Sequence, residues 1–307
     1  MTVAARNPVV EARKLTKLYG QTVGVQDLSF AVDPGEVFGF LGPNGSGKTT
    51  TIRLLLDLIR PTHGEARIFG RSPREPAARR SVGYLPGELS LDEQLTGNRT
   101  LEFLDALRPR GVPSADPRRR AEICERLSLT AADLARVIRD DSRGTKQKIG
   151  LASALQHDPD LLILDEPTTG LDPLVREAVF ELLTEAGSAG RTVFHSSHVL
   201  TEVDRTCTRV GILREGRLVA VERVDDIRQG LVRKMVVRFG CAAPVAELRL
   251  PGVHVIRSTV EMVELTVAGE LDPLLHVLAR FPVRYLTFPE PNLEETFVRY
   301  YRGEPAS

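Results

Sequence analysis

Short apolar runs alternate with segments of helical period along most of this chain. Residues 36–41 form an almost wholly apolar run that predicts a buried strand, and residues 51–56 follow with the composition of a helix. A second apolar run, residues 161–164, also predicts a buried strand, and Asp172-Pro173 marks the start of a later helix. Strands that alternate with helices in this way indicate an α/β fold built on a parallel sheet.

Two regions with other predicted secondary structure interrupt the α/β pattern. Residues 96–156 have helical spacing, with Asp116 as a helix cap before a proline, and predict an α-helical subdomain. The three arginines at 118–120 are better explained by the solvated face of a helix than by a phosphate-binding patch. An antiparallel sheet beside the core is predicted from strand-like segments with tight turns at residues 9–14, 29–32 and 65–69.

A change in the pattern of predicted strands and helices near residue 224 divides the sequence into two predicted domains. Residues 1–223 contain the α/β pattern and its two additions, whereas residues 224–307 predict a small α+β domain without a visible catalytic motif. We expect this second domain to serve docking, dimerisation or regulation. Its predicted elements are strands at 235–239, 254–257, 260–267 and 283–288, and helices at 271–279 and 292–301.

The amino-acid composition argues against several classes of function. The 41 basic and 41 acidic residues of the 307-residue chain cancel, and tryptophan is absent, so we expect no nucleic-acid partner. The cysteines at 124, 207 and 241 lack the paired spacing of a zinc site or a disulfide framework, which favours a reducing cytosol. No apolar run approaches the roughly 18 residues that predict a membrane span, so any membrane role would need a partner chain.

The glycine-rich segment after the first buried strand fits the phosphate-binding pattern G-x-x-x-x-G-K-[ST]. A strand that leads through such a turn into a helix directs backbone N–H groups and the positive end of the helix dipole at one oxyanion. Lys48 would then meet the β- and γ-phosphates of a nucleotide, and the Thr49 hydroxyl would ligate Mg²⁺. The segment, which predicts a nucleotide site, consists of Gly42, Pro43, Asn44, Gly45, Ser46, Gly47, Lys48, Thr49 and Thr50.

Two adjacent acids follow the second buried strand. Asp165 and Glu166 lie at its carboxyl end, the edge at which open α/β sheets bind their ligands. Hydrolysis of a phosphoryl group needs a phosphate cradle, a metal ion and a group that orients the attacking water. Asp165 is placed to hold Mg²⁺ and Glu166 to polarise the water, so the sequence predicts hydrolysis of a nucleoside triphosphate.

Together these motifs resemble the ATP-binding subunits of ABC transporters, in particular bacterial drug and lipid exporters whose ATPase and membrane parts are separate chains. The resemblance covers residues 9–221, and the stretch 292–301 is similar to the tail of such exporters. It implies a P-loop NTPase core with an antiparallel β subdomain and an α-helical subdomain, and ATP and Mg²⁺ as ligands. It also implies a head-to-tail homodimer or paralogue heterodimer, a separate integral membrane permease, and a peripheral position at the cytoplasmic face of the inner membrane.

Three residues acquire roles in their own subunit from this resemblance. Tyr19 would stack on adenine, Thr50 would add a contact to the phosphates, and His198 would join Lys48 and Glu166 as a catalytic contact to the γ-phosphate. Simpler alternatives stay open. Tyr19 is also explained as a boundary aromatic, and His198 as a surface histidine or, less well, as a metal pair with His195.

Three more residues would act between two subunits. By the resemblance, Ser142 and Gly144 would reach the γ-phosphate of the ATP bound to the other subunit, and Asp172 would link the two sites across the interface. Ser142 and Asp172 are also explained as simple helix caps, although the order and spacing of all the motifs together favour the nucleotide roles.

Two positions depart from the family pattern. The signature L-S-G-G-Q is D-S-R-G-T at residues 141–145, which keeps the serine and the second glycine that meet phosphate. After residues 84–86 a glutamine or acidic side chain that senses Mg²⁺ is expected, but Gly87 occupies that place. Glu88, the next residue, is the candidate substitute.

Other classes of ATPase share the motifs. A soluble ABC-type ATPase that acts on ribosomes or nucleic acid usually has two ATPase modules or a long coiled-coil insertion, and this sequence has one phosphate loop and no heptad run. The motifs do not exclude the ATPase of a nutrient importer, although residues 293–295 favour export. A regulatory nucleotide switch is disfavoured because Glu166 is present. The sequence does not predict the transported substrate.

Overall fold

The computed structural model describes residues 7–108, 114–229, 233–268 and 270–289. The chain divides into two compact units, Met1–Val224 and Asp225–Ser307, and each has its own apolar core. This division falls one residue after the boundary that the sequence predicts. The terminal helix predicted at residues 292–301 lies outside the described residues.

The first unit contains a mixed α/β framework. Its strands and helices are, in chain order, β1 (Val10–Tyr19), β2 (Thr22–Val32), β3 (Val37–Leu41), α1 (Lys48–Leu55), β4 (His63–Ile68), β5 (Val82–Leu85), α2 (Gly97–Ala106), α3 (Pro117–Arg126), α4 (Ala131–Ala135), α5 (Arg143–Leu155), β6 (Leu161–Asp165), α6 (Pro173–Ser188), β7 (Thr192–Ser197), α7 (Leu200–Thr206), β8 (Arg209–Arg214) and β9 (Arg217–Arg223).

A six-stranded sheet in the order β5-β6-β7-β3-β8-β9 forms the centre of this unit. The five strands from β5 to β8 in this order run parallel, and β9 pairs antiparallel with β8 at one edge. The strands β3, β6 and β7 are buried along their whole length, as expected for parallel strands covered on both faces. Because these three strands are neighbours, their carboxyl ends and the loops that follow them meet at one place.

A separate antiparallel sheet, β2-β1-β4, packs on the central sheet. Phe30 of β2 lies with its ring centroid 5.5–6.0 Å from those of Phe38, Phe40 and Phe194, so four aromatic rings join the two sheets. The strands β1 and β2 are longer than the segments predicted at 9–14 and 29–32. Register shifts in their pairing interrupt the alternation of apolar and polar residues that a prediction relies on.

The helical part of the unit follows the capping signals of the sequence. Asp116 accepts a hydrogen bond from the Arg118 backbone N–H at 2.9 Å and caps α3, where a proline occupies the first turn. On this helix Arg119 pairs with Asp158 at 3.0 Å and Arg120 pairs with Asp105 at 3.5 Å. Carboxylates therefore compensate the charge of both arginines.

The second unit contains α8 (Val224–Gln229, whose first residue belongs to the first unit), β10 (Arg233–Phe239), β11 (Val253–Ser258), β12 (Met262–Val267), α9 (Asp272–Leu278) and β13 (Val283–Thr287). Its strands form an antiparallel sheet in the order β11-β12-β10-β13. Met235, Val237, Val263 and Leu265 of the two central strands are buried with Leu274 of α9. Over the described residues of the chain, no helix is long and apolar enough to cross a membrane.

Candidate functional site

The phosphate loop connects β3 to α1 and requires glycine at two positions. Gly47 has a φ of 106°, and a Cβ atom there would lie 2.6 Å from the Val25 side chain and 2.7 Å from the Gly24 carbonyl oxygen. A Cβ atom on Gly42 would lie 2.5 Å from the Leu213 carbonyl oxygen. Both contacts are too short for any side chain, so the loop closes tightly at its two ends.

Backbone hydrogen bonds connect this loop to the antiparallel sheet. The Ser46 carbonyl accepts a bond of 2.9 Å from the Gly216 N–H, and the Gly216 carbonyl accepts one of 2.7 Å from the Gln26 N–H of β2. Gly216 lies in the turn between β8 and β9. The phosphate loop, this turn and β2 therefore form one continuous support.

Lys48 is buried beneath the loop that it follows. Its Nζ atom donates to the carbonyl oxygens of Gly42 at 2.7 Å and Pro43 at 3.2 Å, and it lies 3.3 Å from Oε1 of Glu166. A cation held in this way places positive charge where the loop would receive phosphate.

Both the backbone conformation and the side-chain contacts of Glu166 are constrained. Its backbone φ is 49°, a left-handed conformation that is uncommon for a residue with a side chain. Its Oε2 atom lies 3.2 Å from His198 Nδ1 and accepts a hydrogen bond of 3.2 Å from the Thr169 hydroxyl. Burial of the Glu166 carboxyl opposes ionisation, but the charges of Lys48 and His198 outweigh it and hold the pKa below its ordinary value. An ionised carboxylate is the form that can accept a proton from water.

Asp165 ends β6 and is fully buried. Its Oδ1 atom accepts a hydrogen bond of 2.6 Å from the Ser196 hydroxyl, whereas Oδ2 is a buried atom without a hydrogen-bond partner among the described residues. A buried carboxylate oxygen that lacks a donor is suited to a cation. Carboxylate and hydroxyl oxygens, such as those of Asp165 and of the partly buried Thr49 at the start of α1, are ligands of the type that suits a magnesium ion.

The loop after β5 approaches Asp165 through Gly87. A Cβ atom on Gly87 would lie 2.8 Å from Asp165 Oδ2. The Glu88 side chain is instead 93% exposed, and its Oε2 atom lies 3.9 Å from Arg53 Nη2. The structure brings Gly87 and not Glu88 to the carboxylate, and a metal-binding role for Glu88 stays a prediction from the sequence alone.

Ser142, Gly144 and Asp172 form a second group, which we call the Ser142 group. The Ser142 hydroxyl caps α5 by accepting from the Thr145 N–H at 3.1 Å, and Asp172 caps α6 by accepting from the Val175 N–H at 3.0 Å. A Cβ atom on Gly144 would lie 2.9 Å from the carbonyl oxygen of Gly170, two residues before Asp172. The capping roles that the sequence left open are therefore present in the structure.

The remaining predicted residues surround the phosphate loop. Tyr19 ends β1 with 49% of its surface exposed, and Lys17 Nζ lies 5.2 Å from its ring centroid. Thr50 is partly buried on α1, and the loop positions 43–45 are exposed. Of the predicted set, the structure thus brings Lys48 and His198 to Glu166, which follows Asp165 in the chain. We call these four residues the catalytic cluster, after the roles that the sequence predicts for them.

His195 and His198 have separate environments although they are close in sequence. His195 is fully buried on β7, where its Nε2 atom lies 3.0 Å from both the Thr206 hydroxyl and the Cys207 Sγ atom. Burial lowers the pKa of His195 to about 4 and raises that of Cys207 to about 12. Among the described residues, no group of three His, Cys, Asp or Glu side chains could hold a metal ion.

Several residues of the site were not identified from the sequence. Ser196 lies opposite Asp165 in the parallel pairing of β6 with β7, and its hydroxyl also accepts from the Glu166 backbone N–H at 2.9 Å. Buried Glu202 accepts hydrogen bonds from the hydroxyls of Thr168 at 2.7 Å and Ser197 at 2.6 Å. The strand order that brings these residues together is not visible in a single sequence. The one signal in the sequence is that they lie within a few positions of Glu166 or His198.

A phosphate loop and a catalytic cluster at the carboxyl edge of a parallel sheet define an ATPase cassette of the P-loop class. The family model described as "ABC transporter" matches residues 25–169. The chain is 35% identical over 312 aligned residues to the Nod factor export ATP-binding protein I of Cupriavidus pinatubonensis, which covers 97% of this chain and 92% of that protein. The chain therefore belongs to the ATP-binding proteins of ABC transporters, as the motifs predict.

Further comparisons agree with the family and with the fold. The linearmycin resistance ATP-binding protein LnrL of Bacillus subtilis is 30% identical over 306 residues, covering 94% of this chain and 97% of that protein. A dimeric structure of the ATP-binding cassette MJ0796, bound to ADP and Pi, matches with a TM-score of 0.64 and 24% identity over 70% of this chain and 98% of that one. These matches confirm the predicted α/β P-loop fold and an ATPase that serves transport. They do not favour a soluble ATPase acting on ribosomes or nucleic acid.

Proposed function

We propose that this subunit hydrolyses ATP with Mg²⁺ in a head-to-tail dimer and drives export through a separate membrane permease. The observation that carries the proposal is the meeting of Lys48, Glu166 and His198 at one edge of the central sheet. These side chains supply a phosphate-binding cation, a base and a further contact for a γ-phosphate.

The contacts of the catalytic cluster suggest an order of events. The Lys48 ammonium lies between two loop carbonyls and Glu166, so an arriving γ-phosphate competes with Glu166 for the same cation. When Lys48 turns to phosphate, the Glu166 carboxylate becomes available to accept a proton from the attacking water. His198, on the other carboxylate oxygen, is placed to donate to the γ-phosphate.

The buried Asp165 Oδ2 atom and the Thr49 hydroxyl are the groups that would hold Mg²⁺. When bound, the ion supplies positive charge against the β- and γ-phosphates. The exposed ring of Tyr19 offers adenine a surface on which to stack. Thr50 follows Thr49 on the first turn of α1 and is available to the phosphates.

A dimer would give the Ser142 group its function. Inside its own chain, Ser142 and Asp172 cap helices, and the first turn of α5 also offers backbone N–H groups to an anion. In a head-to-tail pair, Ser142 and Gly144 of one copy would meet the γ-phosphate bound by the other, with Asp172 at the junction. The cassette MJ0796, which shares the fold, is described as dimeric with ADP and Pi bound.

The relatives support the proposed export role and the proposed permease. The names of two relatives refer to Nod factor export and to linearmycin resistance, and both proteins align with nearly the whole chain. We infer an export role, a separate integral membrane chain, and a peripheral position on the cytoplasmic face of the membrane. The second unit, Asp225–Ser307, would be an accessory domain of this subunit.

Dimerisation tests the first part of the proposal. Glu166→Gln keeps a side chain of the same size but removes the base, so ATP should bind and persist. Analytical ultracentrifugation with ATP–Mg²⁺ should show a dimer for Glu166→Gln and a monomer for the double variant Glu166→Gln/Ser142→Arg, which places a bulky side chain in the Ser142 group. A monomer for Glu166→Gln under saturating ATP would contradict the head-to-tail dimer.

Recovery from membranes tests the second part. Tagged Glu166→Gln with ATP–Mg²⁺ should retain, from gently solubilised membranes, an integral membrane chain with about six apolar spans of roughly 20 residues. Lys48→Ala is the matched control, because it should weaken ATP binding and release that chain. Recovery of ribosomal proteins or nucleic acid from the soluble fraction would overturn the transport assignment.

A further inference from the structure

A buried glutamine connects the helix of the Ser142 group to the backbone of Glu166. Gln147 lies on α5, and its Nε2 atom donates to the carbonyl oxygens of Glu166 at 3.3 Å and Pro167 at 3.1 Å. The side chain is buried, so these bonds are shielded from water. Both of these hydrogen bonds go to backbone oxygens and not to the Glu166 carboxylate.

The backbone that Gln147 contacts is the strained one. Glu166 has a φ of 49°, a conformation that needs support from its surroundings. The Ser196 hydroxyl accepts from the Glu166 N–H at 2.9 Å, and Gln147 binds the carbonyl at the other side of the same residue. The Thr169 N–H also donates to that carbonyl oxygen at 3.2 Å, so the Glu166 backbone is fixed by hydrogen bonds within its own loop, with β7 and with α5.

Helix α5 joins this support to the Ser142 group. Ser142 caps the helix, and Gln147 follows five residues later on the same rigid element, about 7.5 Å along the axis. A shift of the first turn of α5 cannot occur without a shift of the Gln147 amide or a break of its bonds. The alternative is that Gln147 only satisfies two buried carbonyls, which any protein interior requires.

We propose that Gln147 is a positioning residue that couples the Ser142 end of α5 to the catalytic carboxylate of its own subunit. The inference rests on the proposed dimer. When Ser142 and Gly144 engage the ATP of the partner subunit, the position of α5 sets the Glu166 backbone, and Glu166 is aligned for hydrolysis at its own ATP. Binding of ATP at one site thereby promotes hydrolysis at the other site.

The chain offers a matched control. Gln156 is the C-terminal cap residue of the same helix, is also buried, and donates from Nε2 to the Leu101 carbonyl oxygen of α2 at 3.2 Å instead of to the Glu166 loop. Gln147→Met and Gln156→Met each replace one buried amide by an apolar side chain of similar length. Both variants should lose similar thermal stability, since each removes the hydrogen bonds that a buried side-chain amide donates to backbone carbonyl oxygens.

Steady-state kinetics distinguish a positioning role of Gln147 from a purely structural one. Gln147→Met should lower kcat about ten-fold or more while KM for ATP and ADP affinity stay near those of the parent, because misplaced reacting groups slow the chemical step. Gln156→Met should retain the parent kcat. Equal kcat values in the two variants, with the parent protein active, would overturn the inference and leave the proposed function intact.

A double-variant cycle tests the coupling itself. If α5 carries the signal, Ser142→Ala and Gln147→Met interrupt the same connection, and the double variant should be no more than about two-fold slower than the slower single variant. Independent losses that multiply would contradict coupling through Gln147. On the Glu166→Gln background, Gln147→Met should still form the ATP-dependent dimer, and failure of that dimer in the parent Glu166→Gln would instead count against the proposed function.

Discussion

The Nζ atom of Lys48 lies 3.3 Å from Oε1 of Glu166, so the cation of the phosphate loop is also the counter-ion of the base. This pair joins α1 to the loop after β6, two elements that are far apart in sequence. The arrangement makes the protonation of Glu166 depend on what Lys48 contacts. The first prediction follows from that dependence.

Removal of Lys48 or His198 from beside Glu166 should raise the pKa of its carboxyl. Burial already opposes ionisation, and Lys48 lowers the pKa more than His198 does. We therefore expect a larger rise for Lys48→Met than for His198→Gln, and Lys48→Met should also abolish tight ATP binding. Carbon-13 NMR of the labelled carboxyl gives both titrations, and equal or absent rises would show that the ion pair does not form in solution.

Gly87 is predicted to tolerate no side chain. A Cβ atom would come within 2.8 Å of Asp165 Oδ2, and the Ser196 bond at 2.6 Å restrains that carboxylate. Gly87→Ala should weaken Mn²⁺–ADP binding about ten-fold or more by displacing a ligand, whereas Glu88→Ala should leave it nearly unchanged. Titration calorimetry with Mn²⁺–ADP measures both affinities. A large loss in Glu88→Ala would restore the metal-sensing role that the sequence assigns to Glu88.

Replacement of Asp141 should stabilise the protein. The family signature has leucine at this position, and both Asp141 carboxylate oxygens are buried without hydrogen-bond partners among the described residues, with Arg136 Nη1 at 3.6 Å. Burial raises the pKa of Asp141, so its cost is greatest when it is ionised. Asp141→Leu should raise the free energy of unfolding by about 1–3 kcal/mol near pH 7.

The exposed neighbour Asp140 provides the control for this change. Asp140→Leu should alter the free energy of unfolding by less than about 0.5 kcal/mol. Because the folded-state pKa of Asp141 is raised, the gain from Asp141→Leu should shrink as the pH falls and the carboxyl becomes protonated. Urea denaturation at neutral pH and near pH 4 measures both effects, and a destabilised Asp141→Leu would show that the Arg136 contact is worth more than burial costs.

His195 predicts a loss of stability in mild acid. Its pKa is about 4 in the folded chain and near 6.5 when unfolded, so the unfolded state binds a proton first as the pH falls. The folded chain should lose up to about 3 kcal/mol between pH 6.5 and pH 4 from this residue. His195→Leu should have a flatter dependence of the unfolding free energy on pH than the parent, and parallel curves would place a charged histidine in the fold.

The sequence predicted those parts of the site that depend on neighbouring residues. Strand, glycine loop and Lys48 follow one another in the chain, as do the apolar run and Asp165-Glu166, so local pattern was sufficient. It could not predict the contacts that need the strand order. The Ser196 hydroxyl reaches Asp165 because β6 and β7 are neighbours in the sheet. Gln147 reaches the Glu166 backbone because α5 packs beside the loop that follows β6.

Backbone geometry accounts for the other differences. Pairing shifts near Ala12 and Leu15 broke the alternation that would have predicted the full length of β1. The sequence predicts that Glu88 substitutes for a side chain missing at Gly87, whereas the close approach of Gly87 to Asp165 is visible only in the folded chain.

The hydrogen bonds that lead from Ser46 through Gly216 to Gln26 have a consequence for the choice of nucleotide. They fix the strand pair that carries Tyr19 against the loop that carries Lys48. The separation between an aromatic platform and a buried ammonium is thereby set by the backbone before any ligand arrives. If Tyr19 stacks on the base and Lys48 binds the terminal phosphate, as we propose, nucleotides with fewer phosphates would fit this fixed separation less well.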